Sequence, residues 1–60
     1  MSIYDFTLEE LENYLVENGF KKYNATQVFE GIYKRRVTSF DEITNISKEL
    51  KTFLNKNFKI

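Results

Sequence analysis

Apolar residues recur along this chain at steps of three and four, the spacing that gathers side chains on one face of a helix, and proline is absent. The pattern predicts a small all-α bundle of three to four short helices joined by short connections. Thr7 opens the first helix, with Glu10 three residues on as the second half of a capping box and Phe6 ahead of the cap stapled onto Leu11. Leu8, Leu11 and Leu15 form its apolar stripe, flanked by Tyr14, and Gly19 supplies the left-handed residue that ends it.

Asn24 and Gln27 repeat the capping-box spacing, with Tyr23 and Val28 as the staple, and predict a second helix from about Ala25 to Lys34. Val28, Phe29 and Ile32 form its buried stripe, with Tyr33 at the margin. Gly31 inside it costs roughly 1 kcal/mol against Ala, and two readings stay open: a close helix approach, or drift. Ser39 and Glu42 make a third box that opens a short turn through Ile43, and Ser47 caps a last helix to about Asn57. Leu50, Phe53, Leu54 and Phe58 give that helix its apolar face, and Ile43 and Ile46 plug the same core. No repeat, linker or low-complexity stretch interrupts the single domain, residues 1–60.

Composition narrows the function classes. With 42% hydrophobic residues, ten aromatics and 30% charged residues, the chain is too apolar for disorder. No apolar run is long enough for a signal peptide or a membrane span, so a cytoplasmic location is expected. Cysteine and histidine are both absent, which removes disulfides, zinc sites of the usual ligand types, thiolate nucleophiles and Ser/His/Asp arrangements. Gly19 and Gly31 are the only glycines, so no Gly-rich phosphate loop exists. What remains is a non-catalytic binding or support domain.

The zero net charge conceals segregation. Residues 1–20 carry five carboxylates and no Lys or Arg, while residues 21–60 carry nine cations against four carboxylates. Such a division presents a positive face to a polyanion, or else is ordinary solvated surface. The densest part is Tyr33-Lys34-Arg35-Arg36-Val37-Thr38-Ser39-Phe40. One cation there suits the helix dipole; three exceed it, and the planar Arg fork matches phosphate. Helix N-termini at Ser39 and Ser47 offer free N–H groups to phosphates, and Lys21, Lys22, Lys48 and Lys51 extend the ridge. Tyr4, Tyr23 and Tyr33 are either core residues or platforms for unpaired bases.

The run NATQVFEGIYKRRVTSFDEITNISKEL, residues 24–50, resembles the N-terminal domain of radical-SAM RNA adenine C2-methyltransferases of the RlmN/Cfr type. The opening YDFTLEELENYLVENGFKKYNATQ is similar to that family's start, so the resemblance covers essentially the whole chain. Two positions depart from the family pattern: Asn24 stands where Arg is usual and Gly31 where Trp is usual. The resemblance implies a helix-hairpin-helix-like accessory domain ahead of a radical-SAM barrel that methylates carbon 2 of adenosine in 23S rRNA and, in many members, tRNA. It also implies a 4Fe-4S cluster on a Cys-x3-Cys-x2-Cys motif and S-adenosylmethionine, both in a catalytic domain absent here. The expected partners are 23S rRNA, tRNA and the chain's own catalytic domain, with the sixty residues monomeric and inactive alone. The implied RNA-binding role carries over to Lys34, Arg35, Arg36 and Lys48; Lys21, Lys22 and Lys51 come from the charge argument. The alternative is a domain that braces the catalytic barrel through protein contacts.

Overall fold

In the computed structural model, which describes residues 1–60, Thr7 caps helix α1 (Leu8–Glu17) in both directions. Its Oγ1 accepts from the Glu10 N–H at 3.1 Å, and its own N–H donates to Glu10 Oε1 at 2.8 Å. At the other end Gly19 takes a φ of 88°, which lets its N–H reach the Val16 carbonyl while Phe20 N–H reaches that of Leu15 at 2.9 Å. Both ends of α1 are thus as the sequence predicts. Leu11 and Leu15 are buried, but Leu8, in the first turn, is 37% exposed and lies outside the core. Ile3 instead contributes a buried side chain ahead of the helix, from a 3-10 turn (Ile3–Asp5) that the pattern does not predict.

Helix α2 (Lys22–Phe29) starts three residues before the predicted Ala25. Asn24 does not cap from outside; it is the third helical residue and reaches back, its Oδ1 accepting from Lys21 N–H at 3.0 Å. Its amide nitrogen donates to Gln27 Oε1 at 2.8 Å, and Tyr23, 63% exposed, is no staple. An asparagine serves either end of a box, which is why the spacing misplaces the start.

Without a break, α2 widens into a π turn (Glu30–Lys34), closed by Arg35 N–H to the Glu30 carbonyl at 3.1 Å. Gly31 lies in this turn, buried, where an added Cβ would stand 2.9 Å from Ile43 Cγ1. The close-approach reading of Gly31 therefore holds, but its partner is the connection and not another helix. A 3-10 turn (Phe40–Glu42) follows, and helix α3 (Lys48–Asn57) begins at Ser47, whose Oγ accepts from Leu50 N–H at 3.1 Å. Asn55 reaches back from α3 to Asp41 at 3.2 Å.

Three α-helices and two 3-10 turns close over a core of twelve apolar residues that includes the expected plugs Ile43 and Ile46. Aromatic rings seam α1 to α3: Phe6 and Tyr14 both meet Phe58, at 5.1 and 5.5 Å, and Phe20 meets Phe53 at 5.0 Å. The chain ends are tied by Ile3 N–H to the Lys59 carbonyl at 2.9 Å and Lys59 N–H to the Met1 carbonyl at 2.7 Å. No helix is long and apolar enough to cross a membrane.

Gly31→Ala removes a helix penalty of roughly 1 kcal/mol but drives a methyl into fully buried Ile43, an overpacking cost of about 1–3 kcal/mol. Urea unfolding should show a net loss of about 1 kcal/mol, and Ile43→Val, which lacks Cδ1, should recover part of it in the double variant.

Candidate nucleic-acid interface

The basic run ends the longest helical stretch of the chain. After Lys34 the backbone passes through Arg35 and then reverses at Arg36, whose φ of 53° lies in the left-handed region. Val37 N–H returns to the Gly31 carbonyl at 3.1 Å and fixes the reversal. Glycine or asparagine normally holds such a position, and an arginine there costs roughly 1–2 kcal/mol. Lys34 is held by Glu30 at 3.5 Å, an exposed pair one turn apart that contributes little stability. Arg35 and Arg36 are exposed and form no ion pair.

Downstream, Asp41 accepts from Asn55 and the Glu42 carboxylate is occupied by its own turn. Its Oε2 accepts from the Thr38 hydroxyl at 2.6 Å, the Thr38 N–H at 3.1 Å and the Ser39 N–H at 3.0 Å. These bonds, the Thr38 hydroxyl first, hold the Glu42 carboxyl below its ordinary value of 4.5. The Ser39 N–H, one of those expected to meet a phosphate, is therefore already taken by the chain's own carboxylate. The same bonds occupy Glu42 away from the arginines.

Beside Arg36 lies an open groove of about 690 Å³, lined by Tyr4, Ile32, Tyr33, Val37, Thr38 and the C-terminal Ile60. Tyr4 and Tyr33, 51% and 48% exposed, meet edge to face with centroids 5.8 Å apart. A second hollow of about 310 Å³ on the other side of Tyr33 contains Leu8, Phe29 and the Glu30–Lys34 pair. Sequence reading could not join Tyr4 to Tyr33, because a contact across twenty-nine positions leaves no periodic signal.

Lys21 and Lys22 do not gather here. Lys21 and Lys22 begin α2, and Lys22 is about 18 Å along the helical axis from Lys34, in a domain whose longest extent is 25 Å. Tyr23 is at that far end too. Lys48 and Lys51 share one face of the first turn of α3, Lys48 exposed and Lys51 half-buried. Lys34, Arg35 and Arg36 are consecutive and all exposed.

No three His, Cys, Asp or Glu side chains cluster as metal ligands, and the sequence has no cysteine. The residues present do not fit an iron–sulfur cluster, and no radical step runs through them.

The family described as the ribosomal RNA large subunit methyltransferase N-terminal domain matches residues 1–60. The chain belongs to this family. It is 56% identical over 57 residues to a probable dual-specificity RNA methyltransferase RlmN of Bacillus licheniformis, and 48% identical over 59 residues to one of Staphylococcus aureus. These alignments cover 95% and 98% of the chain but only 16% of either relative. The crystal structure of a radical SAM methyltransferase from Sphaerobacter thermophilus superimposes on the whole chain with a TM-score of 0.95 at 33% identity, over 18% of its own length. The all-α fold expected of the family's N-terminal domain is thus the fold found.

Two substitutions test this geometry. Arg36→Gly should raise stability by about 0.5–1 kcal/mol in urea unfolding, the relief of left-handed strain exceeding the entropy that glycine adds to the unfolded chain. Because the Glu42 carboxyl titrates lower in the folded chain than in the unfolded one, its stabilising effect is complete above the unfolded value and fades as pH falls through the folded one. Stability measured from pH 6 to pH 3 should therefore drop less steeply in Glu42→Gln than in the parent chain.

Proposed function

We propose that this domain helps to hold RNA for a radical SAM methyltransferase that methylates carbon 2 of adenosine in 23S rRNA and in tRNA. The observation that carries the reading is the pair of neighbouring residues Arg35 and Arg36, exposed and without an ion pair, with Arg36 at the rim of an aromatic groove. Backbone strain of this kind clusters at binding and functional sites. An Arg pair of this kind matches phosphate through bidentate bonds. The S-adenosylmethionine and iron–sulfur chemistry belongs to the catalytic domain of such an enzyme, and this domain contributes position.

The acidic half sets the orientation. Glu9, Glu10, Glu12 and Glu17 all lie on α1, where they repel phosphate, so RNA approaches from the α2 end. Val16, exposed on that same helix, favours a protein neighbour there, and bracing of the catalytic domain through α1 is compatible with RNA held opposite.

Fluorescence anisotropy with a ribosomal RNA hairpin and with tRNA over a salt series tests the reading. Affinity should fall linearly with log salt concentration, and Arg35→Gln/Arg36→Gln should reduce the slope by about 1.4–1.8, the release expected for two phosphates. Absence of salt-sensitive binding to either RNA would leave only the bracing role.

A further inference from the structure

We propose that the groove beside Arg36 seats one unpaired nucleotide of the RNA, its base on the Tyr4–Tyr33 pair and its phosphate on the Arg36 guanidinium. The inference presupposes the RNA-holding role above and narrows it to a structural feature of the RNA: a bulged or looped-out nucleotide.

The first argument is the cost of leaving rings outside. A sixty-residue chain has little apolar surface to spare, and seven of its ten aromatic side chains are buried or packed against the core. Of the three left exposed, Tyr4 and Tyr33 stand together at this groove. Their edge-to-face contact at 79° braces the rings while leaving faces open, and an aromatic face accepts any base. The groove, about 690 Å³, lies within the range of roughly 300–1,000 Å³ usual for small-molecule sites.

The polar groups discriminate further. No acidic side chain lines the groove, whereas the smaller hollow across Tyr33 contains Glu30, so an anionic nucleotide favours the former. Arg36 is anchored at the rim by its own reversed backbone and the Val37 N–H bond at 3.1 Å. Thr38 has committed its hydroxyl proton to Glu42 at 2.6 Å, which leaves only oxygen lone pairs. Those lone pairs accept a hydrogen bond from a ribose 2′-hydroxyl or a base amino group and offer no donor to a phosphate. Cation, ring and acceptor therefore match the three parts of a ribonucleotide. A paired stem cannot use them, since its bases are stacked inside and its major groove is too deep and narrow for side chains.

The test compares binding of the sixty-residue chain to a paired RNA stem, to the same stem with a one-nucleotide bulge, and to a short single strand, by anisotropy. The chain lacks tryptophan, so quenching of tyrosine emission gives a second readout of stacking. The bulged stem should bind at least about fivefold more tightly than the paired one and quench tyrosine emission. Tyr33→Ala should abolish that preference with the salt slope unchanged, Tyr33→Phe should keep it, and Arg36→Gly should lower the slope by about 0.7. Tyr4→Leu, which keeps the apolar cover but not the ring, should also weaken the preference if Tyr33→Ala fails to fold. Equal, salt-sensitive binding of bulged and paired stems, unaffected by Tyr33→Ala, would overturn the nucleotide seat and leave the RNA-holding role standing. No salt-sensitive binding to any RNA would overturn both, and the groove would then be a surface for a protein neighbour.

Discussion

The missing side chain at Gly31 lets Ile43 press to within 2.9 Å of where a Cβ would stand, and the basic end of the domain is arranged around that contact. It clamps the connection between Thr38 and Ile46 across the end of the α2 run. The chain must therefore turn back as soon as the π turn closes, and it does so at Arg36 with a φ of 53°. A residue on such a tight outward turn has no core to enter, so Arg35 and Arg36 are projected into solvent. Packing in the interior thus explains a charge placement on the surface, and the strain at Arg36 is the local cost.

The core that sustains this turn is small. Twelve buried residues are few for a chain that folds around them, and the aromatic seam between Phe6, Tyr14, Phe20, Phe53 and Phe58 enlarges it with half-buried rings. The bridge between the two chain ends completes the closure, bringing Ser2 beside Lys59 and Ile60 to the groove. That same closure carries Tyr4 to Tyr33, so the candidate interface draws on both ends and the middle of the chain.

Local chemistry was legible in the sequence wherever one residue decides the outcome. Thr7 with Glu10, Gly19 after α1, Ser47 before α3 and the plugs Ile43 and Ile46 stand where the pattern puts them, because caps, left-handed glycines and apolar spacing act over a few residues. The start of α2 lies three residues earlier than the spacing predicts because Asn24 works from inside the helix as well as before it. Leu8 sits on the right stripe but beyond the edge of the core, a limit that periodicity does not contain. In the site, the Lys34–Arg36 run was visible, whereas three properties that shape it were not. The positive φ falls on an arginine, the Ser39 N–H is filled by Glu42, and Lys21 and Lys22 lie a helix length away; each follows from the three-dimensional path alone.

In the proposed function, RNA meets this domain at the α2 end and not along α1. An amide-resolved NMR titration with tRNA, at low and at raised salt, addresses it residue by residue. Shifts at Tyr4 and from Tyr33 to Ser39 that shrink with salt, with Leu8 to Glu17 unmoved, are the predicted result. A folded spectrum that RNA leaves unchanged, or shifts centred on α1, would rule out RNA held at the α2 end.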